Sequence, residues 1–408
     1  MTRLASLILA GALGAAALAV AAPAPAPAAP ASDGAATFTF SGRGWGHGVG
    51  LSQYGARGRA LAGWSAARIL AHYYPGTVLR PAPTRSVRVL LADDRTRVAV
   101  GGGAAARVVG TSVSGRRRAA QLAPRAAYTL RALPGDRVAL ARGPKRLVVF
   151  RGTVRVVPVV RTGAVAWGPV RPEADRRYRG ELRAVPRDGR LDLVNVVNLE
   201  DYLRGVVPRE IPAAWAGDAY AAVAAQAVAA RSYALSTMSP SARYDVYDDD
   251  RSQVYGGVAG EDARTTRAVV RTRGRVLTYG GAVITAFFFS TSGGRTESAA
   301  NVFGAGAARP YLVSVPDTFD RISPLHTWPD RPTFTGARLA GLLGLPAPVT
   351  DLTVLRRGDS PRVLTARATM AGGRTAVLTG TTLRSRLGLR DTWFTVTRTP
   401  PPPAATAP

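Results

Sequence analysis

Leu191-Asp-Leu-Val-Asn-Val-Val-Asn-Leu-Glu-Asp-Tyr-Leu-Arg-Gly-Val-Val-Pro-Arg-Glu-Ile-Pro212 changes character half-way along. Leu191 to Val197 reads as a strand, and a second strand, Gly180-Glu-Leu-Arg-Ala-Val, precedes it. Asn198 then stands where a helix N-cap belongs, and Asp201 three residues on completes a cap-like start. After the proline-flanked Pro208-Arg-Glu-Ile-Pro212, a long helix is expected from about Asp218 to Thr237. In that helix Gln226 and Tyr233 are seven residues apart and share a face whose other members are alanines, so another backbone or a substrate can come close. Strands feeding helices in this way predict an α+β fold, with helices and antiparallel strands around a cleft.

Outward from this centre the texture shifts. Runs such as Ser86-Val-Arg-Val-Leu-Leu, Arg137-Val-Ala-Leu-Ala, Arg146-Leu-Val-Val-Phe and Val154-Arg-Val-Val predict a small all-β insert over 84–166, its strands separated by Gly or Pro turns. Val283 to Ser290 reads as a buried strand ending in the turn Ser292-Gly-Gly-Arg-Thr-Glu297. Residues 37–80 form a glycine-rich segment expected to pack on a main domain over 171–398. Residues 1–32 combine a basic start, an apolar run from Leu4 to Ala22 and an Ala/Pro linker, the pattern of a secretory signal, with a retained anchor as the alternative. The tail 399–408 is proline-rich. On this reading the folded part works outside the cytoplasm, secreted or held at the cell surface.

Composition removes several chemistries. With no cysteine among 408 residues, disulfides, thiolate metal sites and a cysteine nucleophile are excluded. Three histidines, His47, His72 and His326, leave no room for a multi-imidazole metal centre, and no cofactor or metal is expected. The net charge of +28 is almost all arginine, lysine occurring only at Lys145, and no nucleic-acid motif accompanies it. Attraction to anionic wall polymers is the better use of that charge. No G-x-S-x-G is present, and Ser290, Ser292 and Ser298 have no base visible in the sequence.

Two stretches carry candidate chemistry. Glycines at 42, 44, 46, 48 and 50 alternate with Arg43, Trp45, His47, Val49 and Leu51. If extended, this segment lines Arg, Trp and His along one face opposite a bare glycine face, a surface suited to a sugar; the alternative is a flexible loop with His47 exposed by accident. Scarce acidic residues point elsewhere. Glu200 and Asp201 suit a first helical turn, and Asp248, Asp249 and Asp250 suit a solvated loop, without the pattern of a calcium loop. Glu210 lies among Val206, Val207 and Ile211 between two prolines, where apolar surroundings would raise its pKa and keep it protonated as a general acid; an exposed loop Glu is the alternative.

Taken together, Asn198 to Pro212, Ala225-Gln-Ala-Val-Ala-Ala-Arg-Ser-Tyr-Ala, Ser252-Gln-Val-Tyr-Gly-Gly, Ser290-Thr-Ser-Gly-Gly-Arg-Thr-Glu and Gly46-His-Gly-Val-Gly-Leu-Ser-Gln-Tyr-Gly-Ala resemble the motifs of the stage II sporulation protein D and LytB family, SpoIID. In much of that family the Gly-His-Gly motif follows the main domain, after a stretch similar to Leu383 to Val396; here it comes first. The resemblance therefore implies a circular permutation that lays Phe38-Thr-Phe-Ser-Gly beside Trp393-Phe-Thr-Val and brings His47 to the cleft of Glu210. It implies lytic transglycosylation of peptidoglycan glycan strands that lack stem peptides, with Glu210 as catalytic acid. His47, Gln53, Gln226, Arg231, Tyr233, Gln253, Tyr255, Ser292 and Glu297 match positions that would bind substrate or orient the Glu. LytB-like members imply the alternative of a non-enzymatic enhancer of a wall amidase, or a glycan-binding module. Relatives often carry cysteines near the stretch equivalent to Tyr247–Gln253. Here that loop must be held by packing, or by Arg251 and its acidic neighbours.

Overall fold

The computed structural model describes residues 36–400 apart from 84, 102–104, 125, 161–163, 168–175 and 240–241, so the expected signal segment and most of the proline-rich tail lie outside the described residues. The chain divides into two compact units, residues 77–286 and residues 36–76 with 287–400.

In the first unit, twelve strands form one sheet. The strand Arg190–Asn198 is its hub: it pairs antiparallel with Glu181–Arg187 on one side and with Ser86–Arg95 on the other. The stretch 84–166 is therefore not separate from the strands that lead to Glu210. Lys145–Pro158 bonds to Glu181–Arg187 as Ser86–Arg95 bonds to Arg190–Asn198, because alternating strands left with bare edges need partners. Two strands expected at Arg146–Phe150 and Val154–Val157 are one, since Gly152 at φ 71° bends the strand through a bulge instead of ending it.

Two helices follow the hub strand. Asn198 caps the first, Leu199–Glu210, its side chain accepting from the Glu200 amide at 2.9 Å. Pro208 lies inside this helix, where the sequence suggested a loop; it falls in the last turn, where little helix remains to be broken. The second helix, Tyr220–Thr237, is buried on every side from Ala222 to Ala234, as its nearly continuous apolar sequence requires. Enclosing it forces its one arginine to find a charge. Arg231 donates from Nε and Nη2 to the two oxygens of Glu200 at 2.9 and 2.8 Å, both side chains being buried.

In the second unit, Thr37–Gly42 pairs antiparallel along its whole length with Phe394–Thr399, which sets Phe40, Ser41 and Gly42 opposite Val396, Thr395 and Phe394. Thr333–Thr335 adds a third strand to this sheet. A separate antiparallel sheet of Val349–Arg357, Val363–Met370 and Thr375–Thr379 shares a core with it through Phe38, Phe40, Leu352, Val363, Leu383 and Phe394. Val283–Ser290 is not one strand; only Ala282–Val283 and Phe288–Phe289 are extended pairs, the latter parallel to Leu51–Ser52.

The glycine-rich segment is not an extended ribbon with a bare face. Gly44, Gly46, Gly48 and Gly50 all have positive φ, and protein packs against the sides they leave open. Gly50, at φ 77°, is the tightest: a Cβ there would collide with the Phe287 carbonyl oxygen, beside the bond from Leu51 N to that same oxygen at 3.1 Å. Gly50→Ala therefore combines left-handed strain with a backbone clash, and an apparent loss of about 2–4 kcal/mol is expected. Chemical denaturation followed by tryptophan fluorescence checks it; a loss under about 1 kcal/mol would mean that this segment yields easily.

Candidate active site

Glu210 is the last residue of its helix because Ile211 leaves helical space at φ −133° and Pro212 follows. This termination projects a carboxyl from a rigid element against the loop 248–256. The Val254 amide donates to Glu210 Oε1 at 3.0 Å, and the surrounding protein raises the pKa of the half-buried carboxyl from 4.5 to about 7. Desolvation dominates, with the Val254 bond a smaller opposing influence. The group thus holds its proton near neutrality without being sealed from solvent, which general-acid chemistry demands.

Gln253 holds the loop to both helices. Its Nε2 donates to the Ala230 carbonyl at 3.3 Å, and its Oε1 accepts from the Tyr202 hydroxyl at 3.2 Å. Tyr255 packs its ring at 5.0 Å from that of Tyr202 and donates its hydroxyl to Asn195 Oδ1 at 3.0 Å, while Asn195 is itself anchored to the carbonyls of Arg179 and Glu181. Gly205 is needed beneath this arrangement, since a Cβ there would meet the Tyr255 ring at 2.8 Å. Ser252 contributes by accepting from the Tyr247 amide, and the Gly256 amide bonds the Gly205 carbonyl. Arg251 pairs with Asp249 and stacks over the Tyr247 ring at 3.7 Å at the loop's edge, so the loop is held by Gln253, Tyr255 and Ser252 together with this outer contact.

The expected substrate-binding residues fall into distinct roles. Burial raises the pKa of Tyr233, and the nearby Glu210 carboxylate adds to that shift. Gln253 and Tyr255 position the loop that carries Val254, and neither presents much surface. Arg231 is fully enclosed and bonds Glu200 and the carbonyls of Val269 and Arg275, so it fixes the helix pair. Gln226 is likewise fully buried, with neither amide atom hydrogen-bonded.

His47, Gln53, Ser292 and Glu297 belong to the second unit. Ser292 is buried, its amide donating to Asp320 Oδ1 at 3.0 Å and its hydroxyl accepting from the Gly294 amide at 3.1 Å. Glu297 is buried beneath donors from Ser298, Asn301, Asp359 and Ser360, a structural anchor. Gln53 starts the helix Gln53–Leu61 and is largely buried. His47 is not on an open face; it sits among Phe287, Phe289 and Phe303 and is driven down to a pKa of about 3, mainly by burial.

Two participants escaped the sequence reading. Tyr202 feels the charge of Glu210 and bonds Gln253, which only the helical register of Leu199–Glu210 could have suggested. Asp248 is half-buried rather than solvated; burial first, then Asp249, raises its pKa to about 6, and its charge acts on Tyr202 as well.

Residues 187–279, holding Glu210, both helices and the Gln253 loop, match the family model described as SpoIID, stage II sporulation protein. Over these residues the chain is similar to a SpoIID domain. Over 218 residues, 49% of this chain, it is 33% identical to stage II sporulation protein D of Bacillus subtilis, covering 61% of that protein. It is also 40% identical over 118 residues to an amidase enhancer of Bacillus subtilis, 29% of this chain and 15% of that protein, and 40% identical over 141 residues to an uncharacterised protein of Brachyspira hyodysenteriae, 34% of this chain and 37% of that protein. The chain thus spans under two thirds of each of these relatives. No solved structure matches it significantly. These likenesses connect the region around Glu210 with a sporulation protein and an amidase enhancer. No helix among the described residues is long and apolar enough to cross a membrane.

Proposed function

We propose that this protein is a secreted lytic transglycosylase of peptidoglycan glycan strands, working with Glu210 as its single acid and base, on strands that lack stem peptides. The observation that carries the reading is the elevated pKa of Glu210 at a half-buried helix end. As the acid, Glu210 gives its proton to the glycosidic oxygen while the bond from muramyl C1 to that oxygen breaks. The muramyl C6 hydroxyl then closes on C1, and its proton passes to the Glu210 carboxylate, restoring the starting state. No water is consumed, so one carboxyl suffices where a hydrolase needs a second one about 5–9 Å away. Val254 N–H steadies the carboxyl in both protonation states.

A second reading follows from the amidase enhancer relative: the chain binds glycan and stimulates a wall amidase without cutting anything itself. Incubating the wild-type protein with denuded and with peptide-bearing glycan, followed by mass spectrometry of the products, separates the two. Anhydromuramyl ends are expected on denuded strands. Uncut strands accompanied by faster amidase turnover would replace the first reading with the second.

A further inference from the structure

The second unit contains a cavity of about 500 Å³, within the span of small-ligand sites, and its chemistry has no part in the reaction proposed for Glu210. Its walls include His47, Asn301, Arg356, Arg362, Arg384 and Thr381. The arginines differ in what they have left to offer. Arg362 is fully buried and has spent its guanidinium: Nε and Nη2 hold Asp391 at 2.8 and 2.9 Å, and its Nη groups also donate to Arg295 O, Ser292 O and Ser360 Oγ. Arg384 donates from Nε to the Arg390 carbonyl at 3.0 Å, and among the described residues it has no carboxylate partner. Burial works most strongly against its cation; the Asp391 charge favours it and the Arg362 charge opposes it, each less than burial. Arg356 is exposed at the wall and has no ion pair among the described residues.

His47 adds an oriented donor. The Val49 amide donates to its Nδ1 at 3.0 Å, so the neutral ring carries its proton on Nε2, and that buried atom makes no close hydrogen bond among the described residues, the Phe288 backbone acting on the ring only as a lesser influence that opposes burial. Leaving a buried N–H and a half-buried guanidinium unmatched is unfavourable unless a ligand meets them. With Asp391 paired to Arg362 and acting on Arg384 without contact, and the Glu297 oxygens taken up by their own donors, Arg384 and Arg356 are the lining arginines without a carboxylate partner among the described residues. Hydroxyls of Thr365, Thr379 and Thr381 line the remainder, a wall suited to polyol oxygens.

We infer that this cavity is a binding site for a carboxylate-bearing sugar, the carboxylate meeting Arg384 and the His47 Nε2–H and the ring hydroxyls meeting the threonine side. The inference rests on the wall-glycan reading only in the choice of one probe, and it is read by equilibrium binding of monosaccharides, so glycan cleavage can succeed or fail independently. The test uses calorimetry or ligand-observed NMR on the full chain with matched pairs, glucuronic acid against glucose and N-acetylmuramic acid against N-acetylglucosamine, and with glycerol 3-phosphate.

At least one acid is expected to bind about tenfold or more tighter than its neutral counterpart and to weaken with added salt. Arg384→Gln should remove about tenfold or more of that affinity, and Arg356→Gln, at an exposed position where folding is not at stake, about threefold. Unchanged melting temperatures would show that both variants remain folded. Equal binding of acid and neutral sugars, indifference to both arginine substitutions, tighter binding of glycerol 3-phosphate than of either acid, or no binding at all would each overturn the proposal.

Discussion

Glu210→Gln is expected to lower glycan cleavage by about 10²–10⁴-fold, the usual contribution of a positioned general acid, while glycan binding stays near that of the wild type. Gln keeps the shape and can still accept from Val254, but it has no proton to give. With the carboxyl at about 7, the wild-type rate should hold through mildly acidic pH and fall as pH rises through neutrality. The same shift links to stability with a definite sign. Below the ordinary value of 4.5 the carboxyl is protonated whether the chain is folded or not, so Glu and Gln variants should be similarly stable. Between 4.5 and about 7 the unfolded chain releases the proton and the folded chain keeps it, so the wild type loses stability as pH rises. Above pH 8 the Gln variant should be more stable by about 1–3 kcal/mol. Denaturation at pH 4 and pH 8 checks this alongside the rate; a variant with full activity, or one equally stabilised at both pH values, would show that Glu210 is neither the acid nor strained by burial.

Arg231→Met should produce the largest loss of stability, about 3–5 kcal/mol, because it leaves the Glu200 carboxylate buried in the first helical turn without its partner. The Gly274 amide, 3.3 Å from Glu200 Oε1, cannot replace a bidentate guanidinium. The double substitution Arg231→Met with Glu200→Gln should recover most of the loss, since the cost lies in the stranded charge more than in the missing bond. Urea titration of both variants decides it. Additive losses would mean that the two residues act through separate neighbours.

The strand-to-helix passage at Asn198 was legible because each feature there is local: alternation before it, a capping side chain at it, acidic residues after it. Glu210 could be singled out for the same reason, as an acid among Val206, Val207 and Ile211, but its place inside the helix could not, because Pro208 argues for a break that position in the last turn makes tolerable. The β-rich stretch was legible as strands, though Gly152 hid the continuity of Lys145–Pro158, and it was not legible as part of a larger sheet; pairing of Ser86–Arg95 with a strand about a hundred residues later leaves no trace in either segment. Arg231 and Glu297 illustrate a different limit. Motif resemblance marks them, yet whether a marked polar residue touches substrate or supports the wall depends on burial, and here both are enclosed. The glycines of 44–50 show a period of two that belongs to backbone handedness, not to a strand.

The pairing of Thr37–Gly42 with Phe394–Thr399 also sets an order of events during synthesis. Residues 77–286 have all their sheet partners among themselves and can fold as soon as they emerge, whereas the strand at 37–42 must wait for Thr333–Thr335 and then for Phe394–Thr399 far downstream to complete its pairing. At about 5–20 residues per second that interval is on the order of tens of seconds. Throughout it, Phe38 and Phe40 have no finished core to enter. A ribosome stalled before Phe394 would therefore hold one completed unit between two unfinished ends, and those apolar ends are where a chaperone would be drawn.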